Sequence, residues 1–247
     1  MLEIRNLAVS YGAIEAVRSI DLIARPGEIT ALVGANGAGK SSIMKAISGV
    51  TRITAGSIKI DGEEISHLPS HQRARMGLAH AMEGRRIFHQ HTVEENLVTA
   101  WHFRNASGDL NTATDEVYSK FPILADRRRA QAGTLSGGQQ QMLILSMATL
   151  HSPRFVLLDE PSLGIAPIIV EQIFEFIQSY VEEGKRVVLL SEQMASLALR
   201  VSHYTYVIKH GQVALKGSRA ELENEGIADS LASAYLGIDN AGKTLGI

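Results

Sequence analysis

The chain has 247 residues, with 24 Lys+Arg against 26 Asp+Glu, a formal net charge of −2 and 45% hydrophobic residues. That length supports one large or two small domains with a sizeable core, and the composition excludes a disordered or fibrous chain. The near-neutral balance speaks against a nucleic-acid partner, whose binding domain is usually basic, and the lack of Cys excludes disulfides, thiolate metal sites and Cys nucleophiles.

The opening residues, Met1 to Gly12, lack the basic stretch and apolar core of a secretion signal. The longest uncharged stretch, Ala130 to Pro153, is broken by Gly137, Gly138 and three consecutive glutamines, and its apolar part is too short to cross a bilayer. The expectation is a cytosolic chain with no transmembrane segment.

In chain order, short strands are predicted over Leu2 to Val9, Val17 to Ala24, Glu28 to Val33 and Ser57 to Ile60, with turns at Pro26-Gly27 and Asp61-Gly62. Helical spacing runs from Gly39 to Ser48 and stops at Gly49. The stretch from Gly84 to Leu150 is richer in helical patterns, with a polar loop expected over Arg104 to Thr114. From Arg154 the pattern alternates: strand Phe155 to Leu158, helix Pro167 to Glu183, strand Arg186 to Leu190, helix Ala195 to Val201, strand Tyr204 to Lys209. Such alternation argues for an α/β protein with a mostly parallel, helix-covered sheet. A helical tail over 217–237 and a flexible end over 238–247 complete the reading.

Gly34-Ala35-Asn36-Gly37-Ala38-Gly39-Lys40-Ser41 fits G-x-x-x-x-G-K-[ST] and lies between a predicted strand and a predicted helix, where that motif cradles phosphate. Glycines let backbone N–H groups turn inward around an anion, and the helix N-terminus adds a favourable dipole. Gly34, Asn36, Gly37, Ala38, Gly39, Lys40, Ser41 and Ser42 are therefore candidate nucleotide ligands, with Lys40 on the β and γ phosphates and Ser41 on Mg²⁺. Phe155 to Leu158 is an apolar strand that delivers two acids: Asp159 for Mg²⁺, and Glu160 to orient or deprotonate water.

With Leu135-Ser136-Gly137-Gly138-Gln139 added, the chain resembles the ATP-binding subunits of ABC transporters, whose signature sequence this is. The resemblance covers the chain to about Gly237 and implies a P-loop NTPase fold, in which a RecA-like core carries an N-terminal antiparallel β-subdomain and a helical signature subdomain. One ABC ATPase domain would then span 1–237, with core and β-subdomain at 1–83 and 151–216 and the helical subdomain at 84–150. It further implies that Ser136, Gly137, Gly138 and Gln139 act on ATP held by the other subunit of a head-to-tail dimer, that Tyr11 stacks on adenine, and that Ser162 to Ile165 cross the interface.

Two positions depart from the common family pattern. Glu83 stands where most relatives carry a Gln that senses Mg²⁺ and the membrane partner; a carboxylate still ligates Mg²⁺ but adds negative charge. Gln193 stands where the switch His is usual; it can hydrogen-bond a γ-phosphate but cannot become cationic. Both are counted with Lys40 and Glu160 as catalytic candidates, and Glu83 with Ser41 and Asp159 as metal candidates.

The two departures recur together in the second ATPase subunit of branched-chain amino acid importers. Gly84-Arg85-Arg86-Ile87-Phe88, Thr92-Val93-Glu94-Glu95-Asn96-Leu97, Asp159 to Gly164 with Ala166-Pro167, and Ala234-Tyr235-Leu236-Gly237 resemble that subfamily. Ala81-Met82 replace its usual Val-Pro, and His89 its usual Pro. Arg85 and Arg86 have two readings, a pairing with acids of a membrane partner or a solvated basic turn.

The resemblance implies an ATPase at the cytoplasmic face of the membrane, peripheral and paired with a paralogous ATPase or a second copy of itself. Two transmembrane permease subunits and a periplasmic or extracellular solute-binding protein complete that system. Its rivals are the equivalent subunit of a urea or short-chain amide importer, a regulatory subunit that does not hydrolyse ATP, and a soluble ABC protein acting on nucleic acid or translation.

Overall fold

A computed structural model describes residues 1–103, 108–182 and 185–224. The chain opens with β1 (Leu2–Tyr11), β2 (Ile14–Ala24) and β3 (Glu28–Val33), followed by α1 (Lys40–Ile47), β4 (Ala55–Ile60), β5 (Glu63–Glu64), α2 (Ser70–Arg75) and β6 (Leu78–Ala81). Helices α3 (Val93–His102), α4 (Leu110–Lys120), α5 (Pro122–Asp126) and α6 (Gly137–Thr149) come next. The remainder alternates: β7 (Phe155–Asp159), α7 (Pro167–Glu182), β8 (Val187–Glu192), α8 (Ala195–Val201), β9 (Tyr204–Lys209), β10 (Gln212–Ser218) and α9 (Arg219–Asn224).

Two sheets form. One is antiparallel, with strand order β2-β1-β4-β5; the other runs β10-β9-β3-β8-β7-β6 and is parallel except for β10 against β9. Strands β7 and β8 are buried along their whole length, as near-continuous apolar runs are when both faces of a parallel sheet are covered. Their side chains alternate accordingly. Phe155, Leu157, Val187 and Leu189 join the core shared with α1 and the antiparallel sheet, whereas Val156, Leu158, Val188 and Leu190 join the core under α3, α6 and α7.

Parallel pairing brings the carboxyl ends of β3, β7 and β8 side by side, since Val33 pairs with Glu192 and Asp159 with Ser191. In open α/β sheets ligands bind beyond those ends.

The expected loop over Arg104 to Thr114 is corrected in part. Helix α4 begins at Leu110, because the Asp109 carboxylate accepts the Thr112 N–H and caps it; positions 104–107 lie outside the described residues. The tail expected from 217 opens instead with the last residues of β10 and then the short α9; positions 225–247 also lie outside the described residues.

Candidate nucleotide site

The Gly-rich loop links β3 to α1 and borders a cavity of about 460 Å³, lined by Tyr11, Ala16, Asn36, Gly37, Ala38, Gly39, Lys40, Ser41, Ser42, Glu83, Glu160 and Leu163. Residues far apart in sequence, Tyr11, Glu83 and Glu160, thus converge on the loop. Its tight path needs glycine: Gly39 has φ +111, and a Cβ there would lie 2.7 Å from the Ala16 carbonyl oxygen. At Gly34, a Cβ would lie 2.4 Å from the Ile208 carbonyl oxygen.

Lys40 is 3% exposed and bridges the two halves of the site. Its Nζ donates to the Gly34 carbonyl at 2.7 Å and lies 3.1 Å from Glu160 Oε1. Ser41 Oγ donates to Asp159 Oδ1 at 3.2 Å, and Ser191 Oγ donates to the same oxygen. Asp159 Oδ2 is buried with no hydrogen-bond partner among the described residues. A buried, unmatched carboxylate oxygen beside a serine hydroxyl is a hard donor set, which fits Mg²⁺, and Ser41 and Glu83 both line the cavity that Asp159 backs through Ser41.

Glu160 follows β7 in the left-handed region, φ +49, and its N–H reaches both the Ser191 carbonyl at 3.1 Å and Ser191 Oγ at 3.2 Å. The neighbouring Glu192 accepts from Ser162 N at 3.2 Å and from Ser162 Oγ at 2.8 Å. Burial pushes the Glu192 carboxyl up to about 7, against the pull of the Ser162 hydrogen bonds and with a further push from nearby Glu160. Tyr11 is 46% exposed, and its hydroxyl stands 3.4 Å from Thr51 Oγ1.

Ser136 caps α6 in a capping box: its side chain accepts from Gln139 N at 3.3 Å, and its own N–H donates to Gln139 Oε1 at 3.0 Å. Gly138 lets α6 approach α7, where a Cβ would lie 2.7 Å from Ile169 Cγ2. Ser136, Gly137, Gly138 and Gln139 do not line the phosphate-loop cavity of their own chain, and neither does Gln193, which follows β8 directly. Arg85 is no free surface cation. Its guanidinium donates to the Gly164 carbonyl at 3.1 Å and sits against Gly137, where a Cβ would lie 2.7 Å from it.

Sequence reasoning did not single out Ser191, or the pairing of Glu192 with Ser162, as parts of this site. Both come from the adjacency of β7 and β8, which no local motif encodes. Among the described residues no helix is long and apolar enough to cross a membrane.

A family model for ABC transporters matches residues 17–163. The chain is 41% identical over 238 residues, 96% of its length, to the whole of the high-affinity branched-chain amino acid transport ATP-binding protein BraG of Pseudomonas aeruginosa. The solved ATP-binding subunit of an ABC transporter superposes with a TM-score of 0.82 at 25% identity, covering 96% of this chain and 99% of that one. The dimeric structure of MJ0796, a bacterial ABC transporter cassette, shares the fold with a TM-score of 0.81 at 20% identity over 89% of this chain and 99% of its own. With the phosphate loop, the paired acids and the signature helix in one fold, the chain belongs to the ABC transporter family as an ATP-binding, ATP-hydrolysing subunit.

Proposed function

We propose that this subunit powers the import of branched-chain amino acids through a membrane ABC transporter. The observation that carries the reading is the 41% identity along the full length of BraG, named as a branched-chain amino acid transport ATP-binding protein. The intact set of Lys40, Ser41, Asp159 and Glu160 supports hydrolysis rather than a purely regulatory role.

In this reading Tyr11 stacks on adenine, and Gly34, Asn36, Gly37, Ala38, Gly39 and Ser42 wrap the phosphates. Lys40 offsets charge on the transferred phosphoryl group. Ser41, Asp159 and Glu83 would hold Mg²⁺, which when bound would offset the negative charge of the phosphates. Glu160 orients or deprotonates the attacking water, and Gln193 donates a hydrogen bond to the γ-phosphate.

Ser136, Gly137, Gly138 and Gln139 stand outside the cavity of their own chain, which supports a head-to-tail dimer in which they cap ATP held by the partner. The partner is a paralogous ATPase or a second copy of this chain. Residues 84–150 form the arm that carries the signature, between core segments 1–83 and 151–216. Two permease subunits and a solute-binding protein outside the membrane complete the assembly, and the ATPase docks at the cytoplasmic face. In this reading the subunit supplies energy from ATP, and solute choice lies with its partners.

Uptake of labelled leucine, with urea and short amides in parallel, tests the assignment in cells that lack the gene and carry either wild type or Lys40→Ala. Leucine uptake restored only by wild type is the expected result. Loss of urea or amide uptake with leucine uptake intact would overturn the amino-acid assignment.

A further inference from the structure

Glu192 is a buried carboxylate that takes none of the roles assigned above. It ends β8 at 2% exposure, immediately before Gln193. Burying a carboxylate is costly unless hydrogen bonds compensate it, so its two bonds to Ser162 mark what the residue is for. One carboxylate oxygen takes the Ser162 N–H at 3.2 Å and the other takes the Ser162 hydroxyl at 2.8 Å. The Glu192 carbonyl in turn faces the N–H of Gly34 at 3.4 Å, at the mouth of the phosphate loop.

Ser162 stands two residues beyond Glu160, with only Pro161 between them. Glu160 has φ +49, a conformation costing a non-glycine residue on the order of 1 kcal/mol, which persists only where the surroundings enforce it. Ser191 enforces it from one side by holding the Glu160 N–H, and Glu192 pins the far side of the same turn.

We infer that Glu192 is a positioning residue that locks the Glu160-Pro161-Ser162 turn to the end of β8, and so holds the Glu160 carboxylate on the attacking water. The inference rests on the reading that Glu160 directs that water. Glu192 acts through Ser162 and does not line the phosphate-loop cavity. Its loss therefore slows the chemical step and leaves nucleotide binding alone.

The test is steady-state ATPase of the assembled transporter carrying Glu192→Ala, Glu192→Gln, Ser162→Ala or the Glu192→Ala/Ser162→Ala pair in this subunit. Glu192→Ala is expected to lower kcat by about tenfold with KM for ATP within about twofold. Glu192→Gln is expected to stay within about threefold of wild type, because an amide accepts the Ser162 N–H and donates to its hydroxyl. The double variant is expected to be no slower than the slower single variant, since both break one linkage.

An unchanged kcat in Glu192→Ala, additive losses in the double variant, or no rescue by Gln would overturn the inference. If Glu192→Ala does not assemble, Ser162→Ala decides the matter: a severalfold fall in kcat at unchanged KM supports the linkage, and an unchanged kcat overturns it. Glu160→Gln in the same preparation separates the two readings. Wild-type turnover there defeats the role given to Glu160, whereas a loss there beside full activity in Glu192→Ala defeats only Glu192.

Discussion

His80 lies in β6 with Nδ1 2.9 Å from Ser48 Oγ, and its Nε2 is buried with no hydrogen-bond partner among the described residues. Burial pushes its pKa down from 6.5 to about 4, and the positive charges of Lys45 and Arg86 push in the same direction. The fold therefore holds the imidazole neutral. Because the folded value lies below the unfolded one, the stabilisation is present above pH 6.5 and fades as pH falls toward 4, by an amount on the order of 3 kcal/mol. Chemical denaturation at several pH values checks this against His80→Gln, which cannot titrate. The wild type should lose stability relative to the variant between pH 6.5 and 4; parallel curves would contradict the buried neutral state. At this scale the candidate site was legible, because Gly34 to Ser42 is one continuous motif and Asp159-Glu160 ends an apolar run. His80 was not, since its burial depends on α1 and β6 meeting across 32 residues of sequence.

Arg73 shows how one side chain joins elements. It is 2% exposed, and its guanidinium donates to the carbonyls of Ala46 and Ile47 at 2.7 and 2.8 Å, and to Leu68 and Ser66 at 2.9 Å. A cation is favourable at the carboxyl end of α1, where unpaired carbonyls gather, and here it fastens the helix that follows the Gly-rich loop to α2. Arg73→Ala strands those carbonyls and should cost on the order of 3 kcal/mol, read from the midpoint of urea unfolding. A loss below about 0.5 kcal/mol would show that the linkage is dispensable. Elements of this kind escaped sequence reading. Helix α2 has no apolar stripe, and β6 is four residues with two alanines, too short for a period to register. The start of α4 was hidden by a Ser, Gly, Asn and Thr composition that also suits loops; only the Asp109 cap marks it. In contrast, β7 and α7 carry long runs of clear period, and both were predicted within a residue of where they lie.

At the level of the whole molecule, the signature helix and the phosphate loop belong to one chain but not to one cavity. On the proposed head-to-tail arrangement, ATP hydrolysis is expected to require a second ATPase subunit, whose signature would face this subunit's phosphate loop. The α/β class was legible from the alternation after Arg154, whereas the strand order β10-β9-β3-β8-β7-β6 was not, because parallel neighbours are set by crossover connections rather than by local pattern. That order carries Ser191 and Glu192 to the two acids. The most direct test is the steady-state ATPase rate of the assembled transporter with Lys40→Ala in this subunit alone. The account predicts a fall of about tenfold or more, at least about 1.4 kcal/mol in barrier; turnover equal to wild type would contradict it and return the chain to a regulatory role.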